Sequence, residues 1–188
     1  MNKIQSSYSS NNYDFIFGKI MSSLIPDTIL EIGILDGYSL NSFLKYSSVD
    51  TEIKAIDLFE EYEYKNATFT QINERFLESK NLSIEYGNFY EYYLKKKKFD
   101  IIHIDISNDG NIYKFALENY FPLTKKLLIL EGGSRERDNV DWMVKYDKLK
   151  INNFLETVKN QYDYETIDKF PSITIFYKAK RKSLNLNE

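Results

Sequence analysis

Acids and glycines recur in this sequence where short apolar runs end. Glu31-Ile-Gly33-Ile-Leu-Asp36-Gly37 closes the run from Thr28, Asp57 closes Ile53–Ile56, and Gly87-Asn88 follows Ser83–Tyr86. Asp105, with Asn108-Asp109-Gly110 behind it, follows Phe99–Ile104, and Glu131-Gly132-Gly133 follows Lys126–Leu130. Of the seven glycines, all but Gly18 lie at these corners. Glycine lets a backbone turn sharply or approach a ligand closely. A strand-to-helix turn with two glycines can hold a nucleoside-bearing cofactor against the main chain, and the spacing Gly33-x-x-x-Gly37 departs from the dinucleotide pattern G-x-G-x-x-G. An acid ending the second strand, Asp57, can accept both hydroxyls of an adenosyl ribose. The segment Gly132–Asp138 (GGSRERD) offers Arg135 and Arg137 as a bidentate clamp for a carboxylate or phosphate. The alternative is a helix start with Ser134 as N-cap and Arg137 in a surface ion pair. His103 shares a strand face with Asp105 but lies inside an apolar run, which favours a core role.

These corners need strands that end together, and the hydrophobic pattern supplies them. Apolar runs at 28–34, 53–58, 83–86, 99–105 and 126–131 alternate with segments of helical period at 13–24, from Tyr38, at 68–79 and around Ile112–Ala116. The stretch 132–150 is charged and aperiodic. A helix is expected over 152–162, with Phe154, Leu155 and Val158 inward, then two strands at 164–167 and 172–178 as an antiparallel pair around Pro171. Five β-α steps and a closing hairpin predict a doubly wound, mostly parallel seven-stranded α/β sheet with a reversed last strand, in a single domain. In such a sheet ligands bind beyond the carboxyl ends of the strands. The organisation expected is a helical segment over 1–27, which either forms a lid or packs Phe15, Phe17 and Ile20 on the sheet, a main domain over 28–180, and a polar tail over 181–188.

Composition bounds the partners. The chain of 188 residues carries 25 basic and 28 acidic residues for a net charge of −3, so neither nucleic acid nor an anionic membrane is expected as a partner. The run Lys95–Lys98 precedes a strand, at the opposite edge from the acids, and reads as solvated charge. No cysteine and one histidine exclude thiolate and multi-histidine metal centres. No apolar run approaches the ~20 residues of a membrane span, and a cytoplasmic location is the expectation. A homodimer is left open.

The order of ILEIGILDGYS, AIDLF, IEYGNF, FDIIHID and LLILEGG resembles the class I S-adenosylmethionine-dependent methyltransferases, most closely the small O-methyltransferase branch, over about residues 28–133. The resemblance implies the Rossmann-like methyltransferase fold. It also implies that Glu31, Gly33 and Gly37 line the methionine part of S-adenosylmethionine, that Asp57 holds the ribose, and that Asn88 sits beside the adenine, with Asp105 at the same edge. Metal-assisted members hold Mg²⁺ with acids ending strands four and five, which places Asp105 and Glu131 as ligands. The second acid of the usual strand-five pair is Gly132 here, and the usual histidine falls at Asn108. The expected function is methyl transfer to an oxygen of a small polar or anionic molecule, such as a sugar, sugar nucleotide or phosphorylated metabolite. Asp105 is expected as base or metal ligand, Glu131 as second ligand, and Arg135, Arg137 and Asn108 on the substrate. The rival expectation is a nucleoside-binding module without catalysis. A nicotinamide oxidoreductase is disfavoured by the missing third glycine.

Overall fold

The computed structural model describes residues 6–63 and 67–179. The expected polar tail lies outside them, as does the start of the leading segment. Seven strands form a mixed sheet, the number and reversed last strand that the apolar runs and closing hairpin predict, in the order β3-β2-β1-β4-β5-β7-β6. Two compact units divide the chain, one ending at Lys95 and the other beginning at Lys96.

In the first unit, β1 (Thr28–Ile32) pairs in parallel with β2 (Glu52–Asp57), and β2 pairs in parallel with β3 (Leu82–Tyr86). Helix α1 (Tyr13–Leu24) packs against α2 (Tyr38–Tyr46) through rings, with Phe17 5.1 Å from Phe43 and 5.5 Å from Tyr8. Phe17 and Ile20 are buried, whereas Phe15 is 47% exposed under Lys19. Asp14 ties the two helices, accepting from Ser42, Lys45 and Tyr46. The third expected helix is shorter than its sequence period. Helix α3 (Phe69–Arg75) starts with a capping box of Thr68 and Gln71 but stops at Arg75, so Phe76 still turns inward while Leu77 is left exposed. A single turn, α4 (Phe89–Tyr92), follows β3.

In the second unit, β4 (Phe99–Ile104) is buried along its whole length and pairs in parallel with β5 (Thr124–Glu131). The continuous apolar run is what a strand covered on both faces requires. Strand β7 (Ile173–Tyr177) lies antiparallel between β5 and β6 (Asp163–Ile167), which gives the reversed last strand. Helix α5 (Gly110–Asn119) starts at Asp109, whose side chain accepts from the N–H groups of Asn111 and Ile112. The aperiodic stretch forms a short 3₁₀ turn (Arg137–Asn139) and α6 (Asp141–Lys145), and α7 (Ile151–Val158) follows. Leu155 and Val158 are buried on α7, and Phe154 is only half-buried.

Candidate functional site

The first unit builds a pinned glycine corner. Glu31, on β1, is fully buried and accepts a hydrogen bond from the Ser39 hydroxyl in the first turn of α2. Beyond β1 the ladder to β2 continues one step, with the Gly33 N–H donating to the Ile56 carbonyl at 3.0 Å. The chain then turns through left-handed backbone at Gly33 (φ 88°), Leu35 (φ 48°) and Gly37 (φ 77°). A methyl group added at Gly37 would lie 2.7 Å from the Phe76 ring, so both conformation and space demand glycine there. Arg75 donates to the Asp36 carbonyl and fastens the tip.

Asp57 holds this corner from β2. One carboxylate oxygen accepts the Ile34 N–H at 2.6 Å and the other accepts the Phe59 N–H at 2.7 Å. The acid expected on a ribose is thus also the pin that fixes the glycine turn against β2. Asn88 follows β3, and its side-chain oxygen accepts the Tyr90 N–H as N-cap of α4. A feature with no sequence signal lies beside these residues: Phe59, Phe69 and Tyr86 form a ring cluster, Phe69 and Tyr86 being stacked 4.8 Å apart. Glu60 closes it, accepting from the Tyr86 hydroxyl at 2.6 Å and the Phe69 N–H at 2.9 Å. The hydrogen bond to Glu60 pushes the Tyr86 hydroxyl up to about 12, and the same bond holds Glu60 below the ordinary carboxylate value.

The second unit gathers Asp105, Asn108, Glu131 and Arg137, in an arrangement the sequence did not reveal. Both oxygens of Glu131 accept from one guanidinium, Arg137 Nε and Nη2, the latter at 3.0 Å. Arg137 is 5% exposed, so this is a buried bidentate pair rather than a surface pair or a free substrate clamp. It is anchored on three more sides. Its backbone N–H donates to Ser134 Oγ at 3.1 Å, but no helix starts at Ser134: the N-cap of the 3₁₀ turn is Glu136. Nη2 reaches the Asn108 carbonyl at 3.4 Å, and the guanidinium carbon lies 5.0 Å from the centre of the Trp142 ring. Arg135, by contrast, is exposed, so the two arginines do not act together. Burial pushes the Glu131 carboxyl above the usual carboxylate range, Arg137 opposes that rise, and Asp105 adds to it. Burial likewise works against the Arg137 cation, but Glu131 outweighs it and tightens the guanidinium's hold on its proton.

Asn108 is fully buried, its amide donating to the carbonyls of Ile104 at 3.0 Å and Glu131 at 2.9 Å. This ties the end of β4 to the end of β5. Its Oδ1 and the Nη1 of Arg137 are buried without a hydrogen-bond partner among the described residues. Asp105 is half-buried just past β4, and His103 is fully buried within that strand, as its apolar surroundings predict. Asp138, which the sequence reading passed over, accepts from the N–H groups of Ile151 and Asn152 and caps α7 across the chain. Gly132 and Gly133 have φ of 102° and 109°, and side chains there would strike Ile151 and Thr174, so this pair serves packing.

The expected Mg²⁺ does not fit these residues. Both Glu131 oxygens are bonded to a permanent cation, and the described residues contain no group of three or more His, Cys, Asp or Glu side chains that could hold a metal ion. The described residues also include no helix long and apolar enough to cross a membrane.

No protein-family model matches the sequence, and no curated protein does either. Solved structures do match in fold. A Staphylococcus aureus protein provisionally classed as a caffeoyl-CoA O-methyltransferase superposes with a TM-score of 0.67 at 23% identity, over 94% of this chain and 86% of its own. The N-methyltransferase NodS of Bradyrhizobium japonicum gives 0.67 at 11% identity, over 90% of this chain and 96% of its own. An O-methyltransferase of Bacillus cereus, in complex with S-adenosylhomocysteine, gives 0.62 at 16% identity, over 93% and 83%. The architecture is therefore the Rossmann-like methyltransferase fold. Nitrogen and oxygen methylators share it, so fold alone leaves the acceptor atom open.

Proposed function

We propose that the protein is an S-adenosylmethionine-dependent methyltransferase acting on a hydroxyl oxygen of a small polar molecule. The observation that carries the reading is the glycine corner pinned by Asp57, with the buried acid Glu31 beneath it. Glycine in a left-handed turn lets the main chain approach a ligand closely, which is what a nucleoside-bearing ligand requires of a binding edge. In this reading Glu31, Gly33 and Gly37 hold the methionine part, Asp57 the ribose hydroxyls and Asn88 the adenine end. When bound, the cofactor supplies an electrophilic methyl group on a sulfonium.

The chain's own residues would orient the acceptor and take its proton. Asp105, half-buried past β4, is assigned as that base. An anionic acceptor is disfavoured, because Arg137 is buried and its charge is already offset by Glu131. We therefore favour a neutral hydroxylated molecule over the anionic class, with no nucleic acid or membrane partner, acting in the cytoplasm. A non-catalytic nucleoside-binding module is the second reading, supported by the same Glu131–Arg137 pair, which removes one expected catalytic acid.

The test is transfer of radiolabel from methyl-labelled S-adenosylmethionine to a panel of neutral and anionic hydroxylated small molecules. Label in a neutral acceptor, lost in Asp105→Asn with cofactor binding retained, supports the enzyme. Cofactor binding without transfer to any acceptor favours the binding module.

A further inference from the structure

We infer that Arg137 is the resident cation of this acid-bearing edge, a tethered guanidinium standing where a divalent metal was expected, so that the edge works without metal. This rests on the methyltransferase reading only for what the edge is used for; the assignment of the cation rests on the side chains themselves. Glu131 ends β5 with both oxygens taken by Arg137. A buried carboxylate needs a positive charge beside it. A metal-assisted site supplies that charge with an ion, and here the chain supplies it six residues beyond Glu131. Four contacts fix the guanidinium in place: Glu131, the Asn108 carbonyl, the Trp142 ring and, through the backbone, Ser134. Its fork matches the carboxylate in two parallel N–H bonds, a geometry a hydrated ion would have to displace at the cost of stranding Arg137 in the interior.

The remaining donor, Nη1, is buried without a partner among the described residues, as is Asn108 Oδ1. Arg137 is a positioning residue: its fork fixes the Glu131 carboxylate and its Nη2 reaches the Asn108 carbonyl, so it holds the ends of β4 and β5 together.

The experiment is a Mn²⁺ titration of the full chain, followed by the electron paramagnetic resonance of the free ion, with S-adenosylhomocysteine calorimetry in parallel. The wild-type chain should bind Mn²⁺ no tighter than about 1 mM, the range of a poorly built oxygen site. Arg137→Gln frees Glu131 and should tighten Mn²⁺ binding by about tenfold, a gain lost in Arg137→Gln/Glu131→Gln. If Arg137→Gln does not fold, the wild-type titration decides with Glu131→Gln alone. Wild-type binding tighter than about 100 μM that Glu131→Gln abolishes overturns the inference. Absence of S-adenosylhomocysteine binding would sink the methyltransferase reading and leave the Mn²⁺ result standing on its own.

Discussion

Asp57 shows how one carboxylate serves architecture and binding together. Its oxygens hold Ile34 and Phe59 by their N–H groups, so truncation removes two charge-assisted bonds from a buried site. Asp57→Ala should weaken S-adenosylhomocysteine binding by roughly 1.5–3 kcal/mol and lower the unfolding midpoint as well. Calorimetry and thermal denaturation read the two effects separately, and a pure ribose ligand would move only the first. The Glu131–Arg137 pair calls for a double-mutant cycle. Arg137→Met should destabilise the chain by about 3–5 kcal/mol because it leaves a buried carboxylate uncompensated. The double variant with Glu131→Gln should recover a large part of that loss in urea unfolding. Additive losses would mean the two groups act independently.

At the level of elements, caps and ties that are distant in sequence decide where helices sit. Asp138 accepts from the first N–H groups of α7, so Asp138→Ala should cost about 0.5–2 kcal/mol, measured by chemical denaturation. Asp14 ties α1 to α2. Burial raises its carboxyl, but the hydrogen bonds from Lys45, Tyr46 and Ser42 outweigh this and hold it below its ordinary value of 3.8. A depressed acid stabilises the fold above its unfolded pKa, and that contribution is lost as pH falls through the folded value. Unfolding midpoints of the wild type and Asp14→Asn should therefore converge as pH falls below about 4 and differ above it. The exposure of Asp14 keeps the difference small. Strand positions were legible because apolar runs mark them, and helix α1 falls where its period and Pro26 put it. The length of α3 was not legible. Phe76 and Leu77 continue the helical period in sequence, yet the chain leaves the helix after Arg75, whose side chain reaches back to the Asp36 carbonyl at the glycine corner.

For the whole molecule, sequence order carried the architecture and the list of corner residues but not what those residues bond to. Nothing local in GGSRERD separates a buried bidentate arginine from an exposed one; Arg137 opens the 3₁₀ turn and is buried, whereas Arg135 precedes that turn and is exposed. The fork of Arg137 onto Glu131 is set by tertiary packing around Trp142 and Asn108, and it replaces the expected metal site with an internal ion pair. The Asp57 pin was likewise invisible, since an acid at a strand end carries no mark of the N–H groups it will meet. In the proposed function the pinned glycine corner receives S-adenosylmethionine. Calorimetric titration of the full chain with S-adenosylhomocysteine and, separately, with NAD tests it most directly. S-adenosylhomocysteine should bind, bind more weakly to Asp57→Ala, and be preferred at least about tenfold over NAD, a difference of about 1.4 kcal/mol. Equal affinity for the two, or binding of NAD alone, would contradict it.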